Sequence, residues 1–490
     1  MTSELAARTR ELAFLLTSWP SVTGTQGEAE FARRLWTYLL PRWYSENLLY
    51  SVDGGHNTRE ILATLKRGKS PKTIVLTGHF DTVPFDDYGP LADLALNPEM
   101  LTKAMVNRFR QLDVHQAVAD ELESGEFIAG RGLLDMKAGL AAGLAAMEVY
   151  EGELSLLFLA VCDEEEKSAG ARAAVPFLKK LEREFNLEIA LIINLDSISD
   201  QGDGSKGRVV TYGSIGKQLL CAHVVGNAAH AGYPQDGVNA AYVMAELVRA
   251  IELAPDLSEK TGDEVAASPA TLFAKDGKQG YNVTTPANAF AYWNTMQHRR
   301  SGAEVLDIAL VLAAKAITEA EKKTGQKIAL HRASDFVMPR GKADPALSLP
   351  EQSRIAFEQL VRENAIEGPA VILGFGSIPY PAVLLKDQAL RSMISKVVKP
   401  FGLGEVNYFA GISDVSFYGE AVGDLSVVAA NTPIWGQGFV MPEPGGWPAI
   451  NIGPWGRDYH TPLERLHALY AFETLPRVLL AVIDAVAKLG

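Results

Sequence analysis

The sequence predicts an α/β fold: a mostly parallel mixed sheet with helices on both faces, interrupted by a smaller inserted α+β domain. Three observations carry this reading. Short apolar runs alternate with longer helical patterns through the first two hundred residues, as expected for a parallel sheet flanked by helices. The pattern then changes to strands with one exposed face and amphipathic helices, and apolar strand-like runs return near the C-terminus. A chain of 490 residues also exceeds the size at which a single core stops growing, so two domains are expected.

The opening MTSELAARTRELAFLL mixes acidic and apolar residues and predicts an amphipathic helix rather than a secretory leader. Strands follow at Thr73–Thr77 (TIVLT), Leu154–Val161 (LSLLFLAV) and Glu188–Leu195 (EIALIINL), with helices at Met136–Tyr150 and Arg172–Glu184 between them. SDQGDGSKG at 199–207 reads as an exposed connection and a candidate boundary. Beyond it, Gln218–Val225 and Ala289–Met296 predict strands, and Val238–Glu252 and Glu304–Lys322 helices. Helices are expected at Glu351–Glu363 and Gln388–Val398, strands at 425–430 (LSVVAA) and 448–453 (PAINIG), and a last helix from about Thr461. The expected division is 1–211 with 333–490 as a catalytic domain split in sequence, and 212–332 as the inserted lid or dimerisation domain.

Charge and composition exclude several partners. A net charge of −13 with no basic run opposes binding to a phosphate backbone. No stretch reaches the ~20 apolar residues that a membrane helix needs. Only Cys162 and Cys221 are available for a disulfide, which suits a reducing, cytoplasmic compartment.

The residue types that bind metals fall at particular places. His79 and Asp81 follow the first apolar run, Asp163–Glu166 the second and Asp196 the third, each at the carboxyl end of its strand, where open α/β sheets bind ligands. Asp135 opens the Met136 helix and His460 lies beyond the last strand, so both can reach the same rim. Carboxylates gathered so closely repel one another, and burying them uncompensated costs several kcal/mol per charge, in order of magnitude. A divalent cation relieves the conflict. Imidazoles mixed with carboxylates favour zinc or a similar transition metal over calcium. The glycine-rich GRGLLDMKAGLAAG lacks the spacing of a nucleotide loop, and Gly139 and Gly143 are read as permitting close helix packing. Asp135 can also serve as a helix N-cap, a role compatible with ligation. Cys162, at a strand end, is read as core.

The strings GHFDTVP, GRGLLDMKAG, VCDEEEKSAG, NLDS and GRDYHTPLE resemble the dizinc aminoacylase and glutamate carboxypeptidase family, which includes acetylornithine deacetylase and succinyl-diaminopimelate desuccinylase. The resemblance spans nearly the whole chain. It implies two metal ions, zinc first with cobalt or manganese as alternatives, bridged by Asp135. His79 and Asp196 would complete one site, and Glu165 and His460 the other. It makes Asp81 the residue that holds the His79 ring and Glu164 the general base. In the inserted domain GNAAHAGYPQDGVNAA and GYNVTTP carry the likeness, which implies that His230 reaches the active site of a second subunit in a homodimer and that Asn282 touches substrate. The lid arginine expected for a substrate carboxylate has only Arg299 and Arg300, in NTMQHRR, as candidates, and Asp414 and Arg457 are further candidates for substrate contact.

The long stretch between Asp81 and Asp135, helix-like at Glu99–Leu122, departs from that family, as do Lys167 in place of a glycine and an enlarged 333–400. Together with FAGISDVSFYG at 409–419 they resemble the arginine-utilisation (RocB) branch. The expected function is hydrolysis of an amide bond in a small N-acyl amino acid or peptide-like substrate, such as an amide-linked arginine derivative. The alternative is a protein that binds an amino acid or peptide on the same fold without hydrolysing it.

Overall fold

The computed structural model describes residues 2–42, 44–52, 59–409, 411–437, 439 and 441–489. Ala410, within the string FAGISDVSFYG, lies outside them. The first body is built on an eight-stranded mixed sheet. Its strands are β1 (Glu46–Val52), β2 (Arg59–Lys66), β3 (Lys72–His79), β4 (Ser155–Val161), β5 (Glu188–Asn194) and β6 (Val209–Thr211). Two more strands return to it from the far end of the chain, in the order given below.

The second body carries a five-stranded sheet of β7 (Gly216–Val225), β8 (Ala270–Asp276), β9 (Asn288–Gln297), β10 (Ala329–Arg332) and β11 (Ala370–Tyr380), ordered β8-β9-β7-β11-β10. The chain then rejoins the large sheet through β12 (Gly404–Val406) and β13 (Ala449–Asn451), giving the order β1-β2-β4-β3-β5-β13-β6-β12. Neighbours among β4, β3, β5 and β13 run parallel. These four strands are apolar almost throughout because helices cover both faces, the pattern a parallel sheet requires.

The helices are α1 (Thr2–Thr17), α2 (Gln26–Leu39), α3 (Pro98–Leu112), α4 (Gln116–Glu123), α5 (Ala138–Val149) and α6 (Ala169–Phe185) in the first stretch. The inserted body holds α7 (Ala240–Ile251), α8 (Gly302–Thr324) and α9 (Leu349–Glu363). The last part holds α10 (Gln388–Val398), the short α11 (Val415–Tyr418) and α12 (Ser426–Ala430), and α13 (Leu475–Ala487). The helix expected at Met136 begins at Ala138 and lies close against the sheet. A Cβ on Gly139 would sit 2.1 Å from the Leu195 carbonyl oxygen, which is the physical reason for glycine there.

Three expectations need correction. The inserted body does not end at 332. β11 pairs with β7 from Lys217 to Val225, and α9 packs on the face of this sheet opposite α7 and α8. With both faces covered, β7 is buried through most of its length rather than one-sided. The segment 425–430 is helix, not strand. Asp424 accepts the Ser426 N–H at 2.8 Å, and of the apolar residues that suggested a strand, Val428 alone among Val427–Ala430 is buried. The final helix does not start near Thr461, because Arg465–His467 pairs instead as a short strand with Phe127–Ala129; a π-helical turn at Tyr470–Thr474 then leads into α13. Both cysteines are free and buried, in different bodies. Among the described residues no helix is long and apolar enough to cross a membrane.

Candidate metal centre

Strand register builds the site. His79, the last residue of β3, is level with Val161 of β4, and Thr77 with Asn194 of β5, so the residues that follow β4 and β5 emerge beside His79. The Nδ1 of His79 lies 3.0 Å from the Asp81 carbonyl oxygen and 3.6 Å from its carboxylate. With a proton on Nδ1 facing those oxygens, the Nε2 lone pair points at carboxylates: Asp135 Oδ1 at 3.3 Å, Asp196 Oδ1 at 3.7 Å and Glu164 Oε2 at 4.0 Å. A lone pair aimed at anions is stable only with a cation between them.

His460 arrives from the loop beyond β13. Its Nε2 lies 3.1 Å from Asp135 Oδ2 and 3.1 Å from Glu165 Oε2. The two oxygens of Asp135 thus face different imidazoles. Two ligand triads result, His79–Asp135–Asp196 and Asp135–Glu165–His460, with the donor atoms of each within 4.8 Å of one another. Glu165 Oε1 is buried with no hydrogen-bond partner. Mixed imidazole and carboxylate donors, a carboxylate shared between triads and an orphaned oxygen fit a pair of transition-metal dications.

The electrostatics support that fit. Burial pushes Glu164 well above the ordinary carboxylate range, helped by Asp196, Asp414 and Glu165, and burial likewise raises Glu165 and Asp196. Burial works against protonated imidazoles, yet Asp135 and Glu165 lift His460 to about 10, and the acids around His79 raise it too. Asp135 is held low by the two imidazoles in spite of its burial. With protons as the only counter-charge, the site must therefore gather them on its imidazoles. Dications supply the same compensation.

Asp81 does more than face His79. Its carboxylate accepts the Glu164 and Glu165 backbone N–H groups at 3.1 and 3.2 Å and the Thr23 hydroxyl at 2.9 Å. It therefore fixes both the ring and the acidic turn. Behind that turn, Asp163 has a left-handed backbone with φ of 66° and is buried against Arg59 and the Ala169 N–H. Glu164 and Glu165 diverge as neighbours in such a turn must: Glu165 joins the second triad, while Glu164 belongs to neither and opens on the cleft.

The cleft encloses about 410 Å³, within the range for a small-molecule site. Besides the acids it is lined by Lys217, Tyr380, Phe409 and Tyr459. Lys217 stands at the start of β7, and no carboxylate among the described residues pairs with it; burial alone lowers its pKa. Sequence reasoning missed it, because a lysine before an apolar run reads as the solvated end of a strand. Asp414 is brought to the site, buried near Glu164 with neither carboxylate oxygen hydrogen-bonded, and burial raises it to about 7.

Other candidates lie elsewhere. Arg457 does not line the cleft; its guanidinium pairs with Glu121 and donates to the Gly202 carbonyl at 2.6 Å. Arg299 and Arg300 are also absent from the lining, and the Arg300 side chain donates to the Asp256 carbonyl at 2.7 Å. His230 and Asn282 are exposed at the tip of the inserted body, where His230 bridges Thr284 and Asn282 Oδ1 accepts the Thr284 hydroxyl at 2.7 Å. Within one chain they do not meet the triads.

The chain is similar to several known proteins. The chain is 30% identical to the YqjN protein of Bacillus subtilis, over 98% of this chain and 96% of that protein. It is 27% identical to protein RocB of Bacillus subtilis, over 96% and 93% respectively. A succinyl-diaminopimelate desuccinylase of Nitratiruptor sp. is 26% identical over 58% of this chain and 67% of its own length. Among solved structures, aminopeptidase PepT of Bacillus cereus superposes with a TM-score of 0.56 at 15% identity, covering 99% of both chains. YXEP of Bacillus subtilis, a dinuclear metal-binding peptidase, gives 0.54 at 12% identity, again over 99% of both, and these two likenesses speak to fold alone. The profile of Peptidase family M20/M25/M40 matches residues 75–433, and the chain belongs to that family.

Proposed function

We propose that this protein hydrolyses the amide bond of a small N-acyl amino acid or peptide-like substrate, using two divalent metal ions, zinc first, and Glu164 as general base. The observation that carries the reading is a pair of ligand triads sharing Asp135 beside a carboxylate, Glu164, that neither triad uses. His79, Asp135, Glu165, Asp196 and His460 would hold the ions, whose Lewis acidity, once bound, would lower the pKa of a water and polarise the scissile carbonyl. Glu164 accepts a proton from the attacking water at its carboxylate and delivers it to the departing amine nitrogen, a shuttle suited to a buried carboxylate whose affinity for a proton is raised by that burial. Asp81 keeps the His79 ring oriented and the acidic turn in place.

The substrate class rests on two supports. Relatives include succinyl-diaminopimelate desuccinylases and an N-formyl-4-amino-5-aminomethyl-2-methylpyrimidine deformylase, both named for removing an acyl group from nitrogen. The unpaired Lys217 suits a substrate carboxylate better than Arg299 or Arg300 does, since both arginines are placed away from the cleft. The resemblance to the RocB branch puts amide-linked arginine derivatives first. His230 acts on this reading only from a second copy, so a homodimer through the inserted body is part of it; a strict monomer in light scattering would remove His230 from the mechanism. A cytoplasmic setting fits the two free cysteines.

The test is hydrolysis of a panel of N-acyl amino acids and dipeptides, weighted toward arginine and ornithine, by zinc-loaded protein with a chelated control. Zinc-dependent release of free amine is expected. Tight, metal-dependent binding across the panel with no amine released would support a binding protein instead.

A further inference from the structure

We propose that the helical segment 86–123, inserted between Asp81 and Asp135, is a brace that positions the metal ligand His460, with Asp87 and Glu121 as its two positioning residues. The proposal rests on the two-metal reading above. Both acids leave their own segment to pair with arginines on the loops that carry the second triad. Glu121 of α4 accepts from Arg465 Nε at 2.6 Å through one oxygen and pairs with Arg457 through the other. Arg465 in turn pairs with Asp458 and donates to the Leu463 carbonyl at 3.0 Å. Arg457 and Arg465 flank the loop that holds His460, so one carboxylate ties both ends of it.

Asp87 acts on the same loop from the other side. Its two oxygens accept from Arg131 Nη2 at 2.8 Å each, and Arg131 Nη1 donates to Glu464 at 2.8 Å. The second oxygen of Glu464 accepts the Gly132 N–H at 3.0 Å, three residues before Asp135. Arg131 and Glu464 are buried, so neither charge has water as an alternative partner. The chain of contacts joins the Asp135 loop to the His460 loop and fastens both to the inserted segment.

The loop needs such support. Asp458 and His460 both have left-handed backbones, with φ of 54° and 62°. That conformation is strained for an L-residue, and such residues persist only where their surroundings over-determine them. The loop's ends are paired as a hairpin, Arg457 opposite Arg465, but between them the backbone supplies, among the described residues, only turn bonds, from Thr461 N to the Asp458 carbonyl and from Glu464 N to the Thr461 carbonyl. Side chains supply the rest: Thr461 within the loop, Gln201, which donates to Asp458 at 3.0 Å, and the arginine–carboxylate network of the brace. His79 and Asp196, by contrast, stand on strand ends fixed by the sheet itself. His460 belongs to one metal position alone, so the brace bears chiefly on that position, while Asp135, reached through Gly132, is shared by both.

The experiment is a zinc titration against a chromophoric chelator, with cobalt absorption as a second readout, on the wild type, the double variant Asp87→Asn with Glu121→Gln, His460→Ala, and a Glu123→Gln control. Glu123 pairs with Arg110 on the exposed side of α4 and touches neither loop. The brace predicts that the double variant weakens one zinc site about 10–100-fold, the usual cost of losing support behind a ligand, and the other, which shares only Asp135 with it, far less. The weakened zinc should be the one that His460→Ala loses, with the melting temperature close to wild type and the control unchanged. Two zinc ions held with wild-type affinity by the double variant would overturn the proposal, as would equal weakening of both sites with a fall in melting temperature. A wild type that binds fewer than two zinc ions would sink the two-metal reading itself, whatever the variants do.

Discussion

Asp135 turns one oxygen to His79 and the other to His460, and this divergence is what lets one carboxylate serve two triads. Glu164 and Glu165, adjacent in sequence, are separated by the turn that Asp81 holds, so Glu165 joins the second triad and Glu164 stays outside both, as the proposed ligand and base roles require. Lys217 faces the same cleft from the inserted body with no acid of its own. A charge-assisted hydrogen bond to a substrate carboxylate contributes about 1.5–3 kcal/mol. Lys217→Met should therefore raise KM roughly tenfold or more for substrates with a free carboxylate, leave their amidated analogues nearly unchanged, and be partly rescued by Lys217→Arg. Equal KM values for both substrate types in wild type and variant would remove Lys217 from recognition. The candidate ligands His79, Glu165 and Asp196 were legible in the sequence because each follows an apolar run that reads as a buried strand, and Asp135 and His460 through the motifs of the resemblance. Lys217 was not, since its meaning depends on which loops fold across it. Asp414 gave a partial signal: a lone acid in an apolar string, whose site is set by residues hundreds of positions away.

At the scale of elements, β7 carries a buried His223 whose Nδ1 has no hydrogen-bond partner. Burial, with Arg354 nearby, lowers it to about 4. The unfolded chain takes up a proton near pH 6.5, which the folded chain refuses until near its own lowered value. Stability from the neutral ring is therefore fully present above about pH 6.5 and is lost as pH falls toward 4. Between pH 7 and pH 5 this amounts to roughly 2 kcal/mol. Denaturant unfolding of His223→Leu should show a smaller loss over that interval than the wild type; parallel losses would mean that His223 is protonated or hydrated in the fold. Helices of clear amphipathic period, such as α8 and α10, were readable nearly to the residue. β11 was not, because Ala370–Tyr380 contains two glycines and its partner β7 lies some 150 residues earlier. The boundary at 332 was misplaced for that reason. Residues 425–430 were misread because Val427 and Val428 favour strands locally, while the packing of α12 against α8 decides the outcome.

For the whole molecule, the two bodies have different work. The eight-stranded sheet presents both triads at its rim, and the inserted sheet brings Lys217 and Tyr380 over them from β7 and β11. The chain crosses between the bodies at β7 and β11, so movement of the inserted body would carry the lining residues with it, the arrangement expected of a lid that excludes water. The large architecture was visible in the alternation of apolar runs and helices. The brace built from 86–123 was not, since its links to the His460 loop, Arg131–Glu464 and Glu121 with Arg457 and Arg465, join residues more than three hundred positions apart.

The central claim is that two metal ions and a free Glu164 act together. The most direct measurement is turnover and metal content of Glu164→Gln on the first substrate found. The account predicts two metal ions bound as in the wild type, with kcat reduced by at least about a hundredfold, the typical worth of a positioned general base. Turnover at the wild-type rate would contradict Glu164 as the base, and loss of a metal ion would make it a ligand instead.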